Sequence, residues 1–146
     1  MTVALSGEET AKKLGEQFSD AIIEASDQAI LVKSDSLLEI AKYLKDTPEL
    51  NFNYLVHISA VDYLDYFELV YQLASLEYNH SLVIKTRCYD RENAVVPSIV
   101  SIWRAADYQE REIFDLMGIS FTGHPNLKRI VLWDGYKGHP LRKDFL

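Results

Sequence analysis

The stretch YLVHISAVDYLDYFELVYQLASLEYNHSLVIKTRC, residues 54–88, decides how this chain folds. Within it Phe67, Leu69, Tyr71 and Leu73 alternate with Glu68 and Gln72, and Leu82, Ile84, Thr86 and Cys88 alternate with Lys85 and Arg87. Successive side chains of a strand point to opposite faces, so each segment reads as a half-buried β-strand. The alternation breaks at 62–65 and 78–80, which hold Asp62, Asp65 and Asn79 and read as turns. Three strands, over about 54–62, 67–77 and 81–89, therefore predict an antiparallel meander with one apolar face.

Upstream, the period changes to that of helices. Ser6 and Glu9 have capping-box spacing, and Ala11, Leu14 and Phe18 recur at helical intervals, which predicts a helix over 7–19. Ile22 with Ile23 and the run 29–32 read as two short strands around a turn at Ser26 and Asp27. Ser36 and Glu39 repeat the capping spacing, Leu37, Leu38, Ala41 and Leu44 form the expected buried stripe, and Pro48 marks the end of a second helix. The order α-β-β-α-β-β-β predicts an α+β domain in which helices cover the apolar face of a mixed sheet.

Downstream, 91–97 reads as a loop, and 98–103 fits either a helical turn capped by Ser98 or a short strand. A helix follows over 105–117, with Asp107, Arg111 and Asp115 four apart for charge pairing and Gly118 as its stop. From Ile119 regular structure is expected to fade into an extended arm punctuated by Gly123, Pro125, Gly135, Gly138 and Pro140. One structural domain results, with a core over 1–103 and a C-terminal helix and docking arm over 104–146.

The composition, 48% hydrophobic and 25% charged, is that of a globular chain. Its apolar runs, such as 99–103 and 130–133, are far shorter than the roughly 20 residues of a membrane-spanning helix. Residues 1–9 carry acids where an export signal needs a basic stretch and an apolar run, so a cytoplasmic location is expected. The net charge of −7 argues against nucleic-acid binding. It is unevenly placed: residues 1–125 carry a net −10 and residues 126–146 a net +3.

Reaction chemistry finds little support. His57, His80, His124, His139 and Cys88 lack the Cys-x-x-Cys or His-Glu-x-x-His spacing of a metal site, and His124 and His139 are better suited to fixing the arm to a surface. A lone cysteine excludes internal disulfides and any cluster held by several cysteines of this chain, and Cys88 shares its strand face with Leu82 and Ile84 as an inert thiol would. No Gly-x-Ser-x-Gly elbow, Gly-x-Gly-x-x-Gly turn or Walker-type lysine loop occurs, so neither a nucleophile nor a nucleotide site is expected. Glu110 and Glu112 diverge on a helix, and with Arg111 between them the pattern alone reads as a solvated, salt-bridged face.

That face runs into a motif. The stretch Glu110-Arg111-Glu112-Ile113-Phe114-Asp115-Leu116-Met117-Gly118-Ile119 is followed by Phe121, Gly123-His124-Pro125, Leu127 and Arg129-Ile130. Trp133-Asp134-Gly135 and Gly138-His139-Pro140-Leu141-Arg142-Lys143-Asp144-Phe145 close the chain. Together these resemble the signature of the thirty-kilodalton subunit family of respiratory complex I, the C subunits of NADH:quinone oxidoreductases. The likeness spans about 34–146 and is most specific from Trp103 onward. Two departures stand out: Tyr108 replaces a common tryptophan, and the sequence stops at Leu146 where family members often continue.

The resemblance implies a non-catalytic subunit of the hydrophilic arm of a proton-translocating complex, peripheral on the cytoplasmic side of the membrane. It implies docking on the quinone-site subunit and beside cluster-bearing subunits, with FMN, iron–sulfur clusters and quinone held by those partners and no cofactor in this chain. It further implies a partner interface built from Glu110, Arg111, Glu112, Asp115, His124, Pro125, Arg129, Trp133, Gly138, His139, Pro140, Arg142, Lys143 and Asp144. Related hydrogenases and ferredoxin- or deazaflavin-linked complexes carry equivalent subunits, so the electron donor stays open. Two readings compete: a free-standing metal-dependent hydrolase, suggested by the acidic residues and histidines, and a signalling or adaptor module, which the acidic body and basic arm also permit.

Overall fold

The computed structural model describes residues 3–5, 7–18, 20–129 and 138–142. The meander is its centre: β4 (Tyr54–Asp62), β5 (Phe67–Ser75) and β6 (His80–Cys88) pair antiparallel. Register sets Phe67 opposite Cys88, Leu69 opposite Thr86, Tyr71 opposite Ile84 and Leu73 opposite Leu82, so the alternating apolar set lines one face. Against the expected 67–77 and 81–89, β5 ends sooner and β6 begins sooner, since Asn79 takes a positive φ of 56° and closes the turn early.

The upstream hairpin is β2 (Ile22–Ala25) and β3 (Ile30–Val32), and β3 joins β6 in parallel. A short β1 (Val3–Ala4), which has no sequence pattern to announce it, also runs parallel to β6. The six-stranded sheet thus has the order β2-β3-β6-β5-β4 with β1 beside β6, a mixed sheet as expected.

Helix α1 (Gly7–Phe18) starts against the β2–β3 turn, where a Cβ on Gly7 would lie 2.1 Å from the Ser26 carbonyl oxygen; only glycine allows this approach. Ser6, the expected cap, lies outside the described residues. Helix α2 (Leu37–Asp46) buries Leu37, Ile40, Ala41 and Leu44. Leu38 corrects the expected stripe: it is an exposed position, because Ile40 occupies the inward turn of the helix instead. Ser36 makes no side-chain cap bond either, since a 3₁₀ turn over Ser34–Ser36 already leads into the helix. Leu37, Ile40 and Leu44 close over Tyr71, Leu73 and Ile84 of the sheet, with Ile99 and Trp103 completing the core. Trp103 is fixed there by its indole N–H, which donates to the Phe52 carbonyl at 2.9 Å.

The C-terminal third departs most from expectation. The expected loop 91–97 contains β7 (Val95–Pro97), and the segment after Ile119 contains β8 (Ser120–Thr122); the two form a separate parallel pair. Between them, residues 98–103 make a tight turn in which the Ile102 and Trp103 amides both donate to the Ile99 carbonyl, settling the open choice in favour of a helical turn. Helix α3 (Ala106–Met117) then runs beside β4, and the side-chain carbonyl oxygen of Gln109 accepts the Ile58 amide of that edge strand at 2.6 Å.

Candidate docking surface around the third helix

Helix α3 buries Ala106, Glu110, Ile113, Asp115 and Met117. The first, second, third and last of these recur at helical spacing, so Glu110 occupies a core position. This corrects the reading of Glu110 as part of a solvated face: its side chain is fully buried, with one carboxylate oxygen 2.6 Å from Ser98 Oγ and the other accepting the Ile99 amide at 2.9 Å. Burial raises its pKa above the usual carboxylate value, opposed by the two hydrogen bonds and by nearby His124. Tyr71 lies in the same interior with a hydroxyl that has no hydrogen-bond partner, and burial, with Glu110 next, pushes its ionisation well above the ordinary tyrosine range.

Pairing along α3 also differs from the spacing. Asp107, Arg111 and Asp115 each turn to the arm: His124 Nε2 lies 3.1 Å from Asp107 Oδ1, Arg111 Nε donates to the Lys128 carbonyl, and Arg129 Nη1 meets Asp115 Oδ1 at 2.8 Å. Tertiary partners outcompete exposed i, i+4 pairs because those contribute only about 0.2–0.5 kcal/mol each. His124 has its Nδ1 accepting the Asn126 amide at 2.9 Å, so its Nε2 carries the proton that faces the Asp107 carbonyl and carboxylate.

At the other end of α3 the last carbonyls lack helical partners, and arm groups satisfy them. His139 Nδ1 donates to the Asp115 carbonyl at 2.9 Å, the Leu141 amide to Leu116 at 3.0 Å, and Arg142 Nε to Met117 at 2.5 Å. Arg129 bridges the two segments, reaching the Gly138 carbonyl at 3.1 Å. Two guanidiniums at a helix C-terminus also complement its partial negative charge. Gly118 makes the closure possible: its φ is 75°, and a Cβ there would lie 2.6 Å from His139 Cδ2 and 2.8 Å from Arg142 Nη2. Arg142 stacks 4.9 Å from the Phe67 ring centroid, and Arg91 lies 4.6 Å from the same ring.

Of the expected interface residues, the structure gathers Asp115, Arg129, Gly138, His139 and Arg142 at the C-terminal end of α3, with Pro140 between them in sequence and half-buried. His124 and half-buried Arg111 hold the opposite stretch of arm, Glu110 lies inside, and Glu112 and Pro125 are exposed. Trp133, Lys143 and Asp144 lie outside the described residues. Sequence reasoning missed Ser98, Gln109 and Arg91 as site residues; the core spacing of Ala106, Glu110, Ile113 and Met117 is the signal that marks Glu110 as buried and so in need of partners, of which Ser98 is one.

An open cleft of about 860 Å³ adjoins Pro125 and is lined by Lys45, Tyr54, Val100, Arg104 and Asp107, and Lys45 Nζ donates to the Ile102 carbonyl within it. A narrower groove between β4 and α3 is lined by His57, Ile58, Gln109, Glu112, Leu116 and Leu141. Among the described residues no three histidine, cysteine or carboxylate side chains gather as a metal site, and no helix is long and apolar enough to cross a membrane.

These elements define an α+β domain with a mixed sheet, closed by a charged helix-and-arm motif. The chain belongs to the family described as the respiratory-chain NADH dehydrogenase 30 Kd subunit, which matches residues 30–146. It is similar to the C subunit of NADH-quinone oxidoreductase from Roseiflexus sp. (strain RS-1), 39% identical over 149 residues that cover 97% of this chain and 85% of that protein. The protein of the same name from Moorella thermoacetica is 45% identical over 119 residues, covering 80% of this chain and 78% of that one. Among solved structures, a chain of the membrane-bound sulfane sulfur reductase, an archaeal respiratory membrane complex, superposes with a TM-score of 0.76 at 28% identity, covering 95% of this chain and 85% of that one.

Proposed function

We propose that this chain is a non-catalytic subunit of the hydrophilic arm of an NADH:quinone oxidoreductase, peripheral on the cytoplasmic side of the membrane and docked on the quinone-site subunit. The observation that carries the reading is likeness over nearly the whole length to proteins named as the C subunit of NADH-quinone oxidoreductase. FMN, iron–sulfur clusters and quinone belong to the partner subunits in this reading, and electrons do not pass through this chain. Residues 104–146 act as its docking part.

The geometry divides that part into two roles. Glu110, Asp115, Arg129, His139 and Arg142 shape the surface from within, because their polar side-chain groups are engaged by the chain itself. Exposed Glu112 and Pro125, with half-buried Arg111, present it to a partner. The test is assembly. Glu112→Lys is expected to leave the chain folded but shift it from the membrane complex to the soluble fraction, whereas Arg142→Ala weakens the fold itself. Normal assembly of the Glu112 variant would count against the reading.

A second reading rests on the archaeal neighbour, which carries this fold in a respiratory complex of another name. It assigns the chain to a related membrane complex with a different donor. NADH oxidation by the purified complex that contains this chain separates the two, since the second reading predicts none.

A further inference from the structure

Among the described residues three non-glycine positions have positive φ, and two are asparagines, the residue type that tolerates it. The third is Leu64, at φ 70°, in the turn between β4 and β5. Glycine or asparagine would relieve that backbone, yet a leucine side chain stands there 56% exposed. Strain and exposure together have no account in the fold of this chain, because Leu64 is absent from its core.

The turn is held rigidly. Buried Asp62 accepts the Leu64 amide at 2.8 Å and pairs with both Nη atoms of Arg91. Around it Tyr63 and Tyr66 pack with ring centroids 5.3 Å apart, and Tyr66 packs on Tyr89 at 5.4 Å. Arg87 lies 4.5 Å from the Tyr66 ring centroid and is bonded to Glu68. Tyr63 and Tyr89 remain 46% and 63% exposed. A fixed ladder of aromatic rings around an apolar tip is the kind of surface that dominates contact energy, because little side-chain freedom is lost when it is covered.

Charge then selects the partner. The two arginines beside the ladder are engaged by Glu68 and Asp62, while the exposed charges that flank it in the chain, Asp65, Asp90 and Glu92, are all carboxylates. We propose that the tip formed by Tyr63, Leu64, Tyr66 and Tyr89 is a docking knob for an apolar pocket with a basic rim on another protein of the same complex. The acidic flank disfavours an anionic lipid surface, which attracts basic segments instead. The proposal rests on membership of a larger complex and adds to it a contact far in sequence from the 104–146 motif.

Hydroxyl-radical footprinting of the full chain tests it in three states: isolated, within the detergent-solubilised complex, and within the complex in its native membrane. Tyr63, Leu64 and Tyr89 are expected to label readily in the isolated chain and several-fold less in the solubilised complex. Equal labelling in the isolated chain and both complexes, or protection confined to the membrane state, overturns the proposal while leaving membership of the complex intact. Leu64→Gly relaxes the turn, so the isolated chain keeps or gains stability, yet protection of Tyr63 and Tyr89 in the complex is lost. If Leu64→Gly and Asp65→Lys both retain wild-type protection, neither the knob nor the charge match holds.

Discussion

Arg129 and Asp115 form an ion pair at 2.8 Å in which the carboxylate side chain is fully buried and the guanidinium is only 16% exposed. Removing Arg129 takes a counter-charge away from a carboxylate held in a poorly solvated place. Arg129→Ala is therefore expected to cost about 3 kcal/mol, the lower end for a broken buried pair because the guanidinium keeps some contact with water. Asp115→Asn on that background restores part of the loss, since it removes the carboxylate whose counter-charge was taken away. Urea unfolding of the two single variants and the double variant measures this; additive losses would mean that the two residues do not interact.

Gly118 carries the turn from α3 into the arm. Alanine there meets a backbone cost of about 1–2 kcal/mol for the left-handed conformation and displaces His139 and Arg142 from the helix end. Gly118→Ala should thus lower stability and, more specifically, free the arm. Amide exchange at Leu141, whose N–H is bonded to the Leu116 carbonyl, reports it directly. Exchange there as slow as in the parent chain would show that the closure does not depend on this glycine.

How legible all this was follows from the range of the interactions. The β4–β5–β6 meander could be read because Phe67 to Leu73 and Leu82 to Cys88 repeat at a period that only strands satisfy, whereas the register that pairs them came from the structure. Val95–Pro97 and Ser120–Thr122 are too short to show any period, and their pairing spans the whole of α3, so it leaves no local trace. Glu110 misled for another reason: its charge reads as solvent-facing, while the Ser98 hydroxyl and Ile99 amide that make its burial tolerable lie in a different segment. The motif residues were found by resemblance, but which of them hold the arm and which face outward depended on the carbonyls they reach.

Buried Glu110 gives stability an unusual pH dependence. Its folded-state pKa is raised above the unfolded value, so the native chain binds its proton more tightly. The Glu110 contribution therefore favours folding at acid pH and is lost progressively as pH rises from the unfolded carboxylate value through the raised one. Glu110→Gln keeps a similar shape without the charge. The difference in melting temperature, variant minus parent, is expected to grow in the variant's favour from about pH 4.3 towards neutrality. Parallel curves would mean that Glu110 titrates as it does in the unfolded chain.

Cys88 tests the least legible part of the fold. It ends β6 opposite Phe67, its Sγ lies 3.6 Å from the Val95 carbonyl oxygen of β7, and burial pushes its thiol pKa up to about 11. Since the thiolate is the nucleophile, at pH 8 only about one molecule in a thousand carries the reactive form even where a reagent has access. Alkylation of the native chain should accordingly be slow and should accelerate sharply across the urea transition. The β7 group that meets this thiol is the Val95 carbonyl, so the labelling rate also reports how firmly β7 is seated. Val96→Gly, which empties a fully buried position of that strand, is expected to speed alkylation in water more than a variant of equal stability loss in α2. Rapid alkylation of the parent chain under native conditions would mean that β7 does not cover the end of β6.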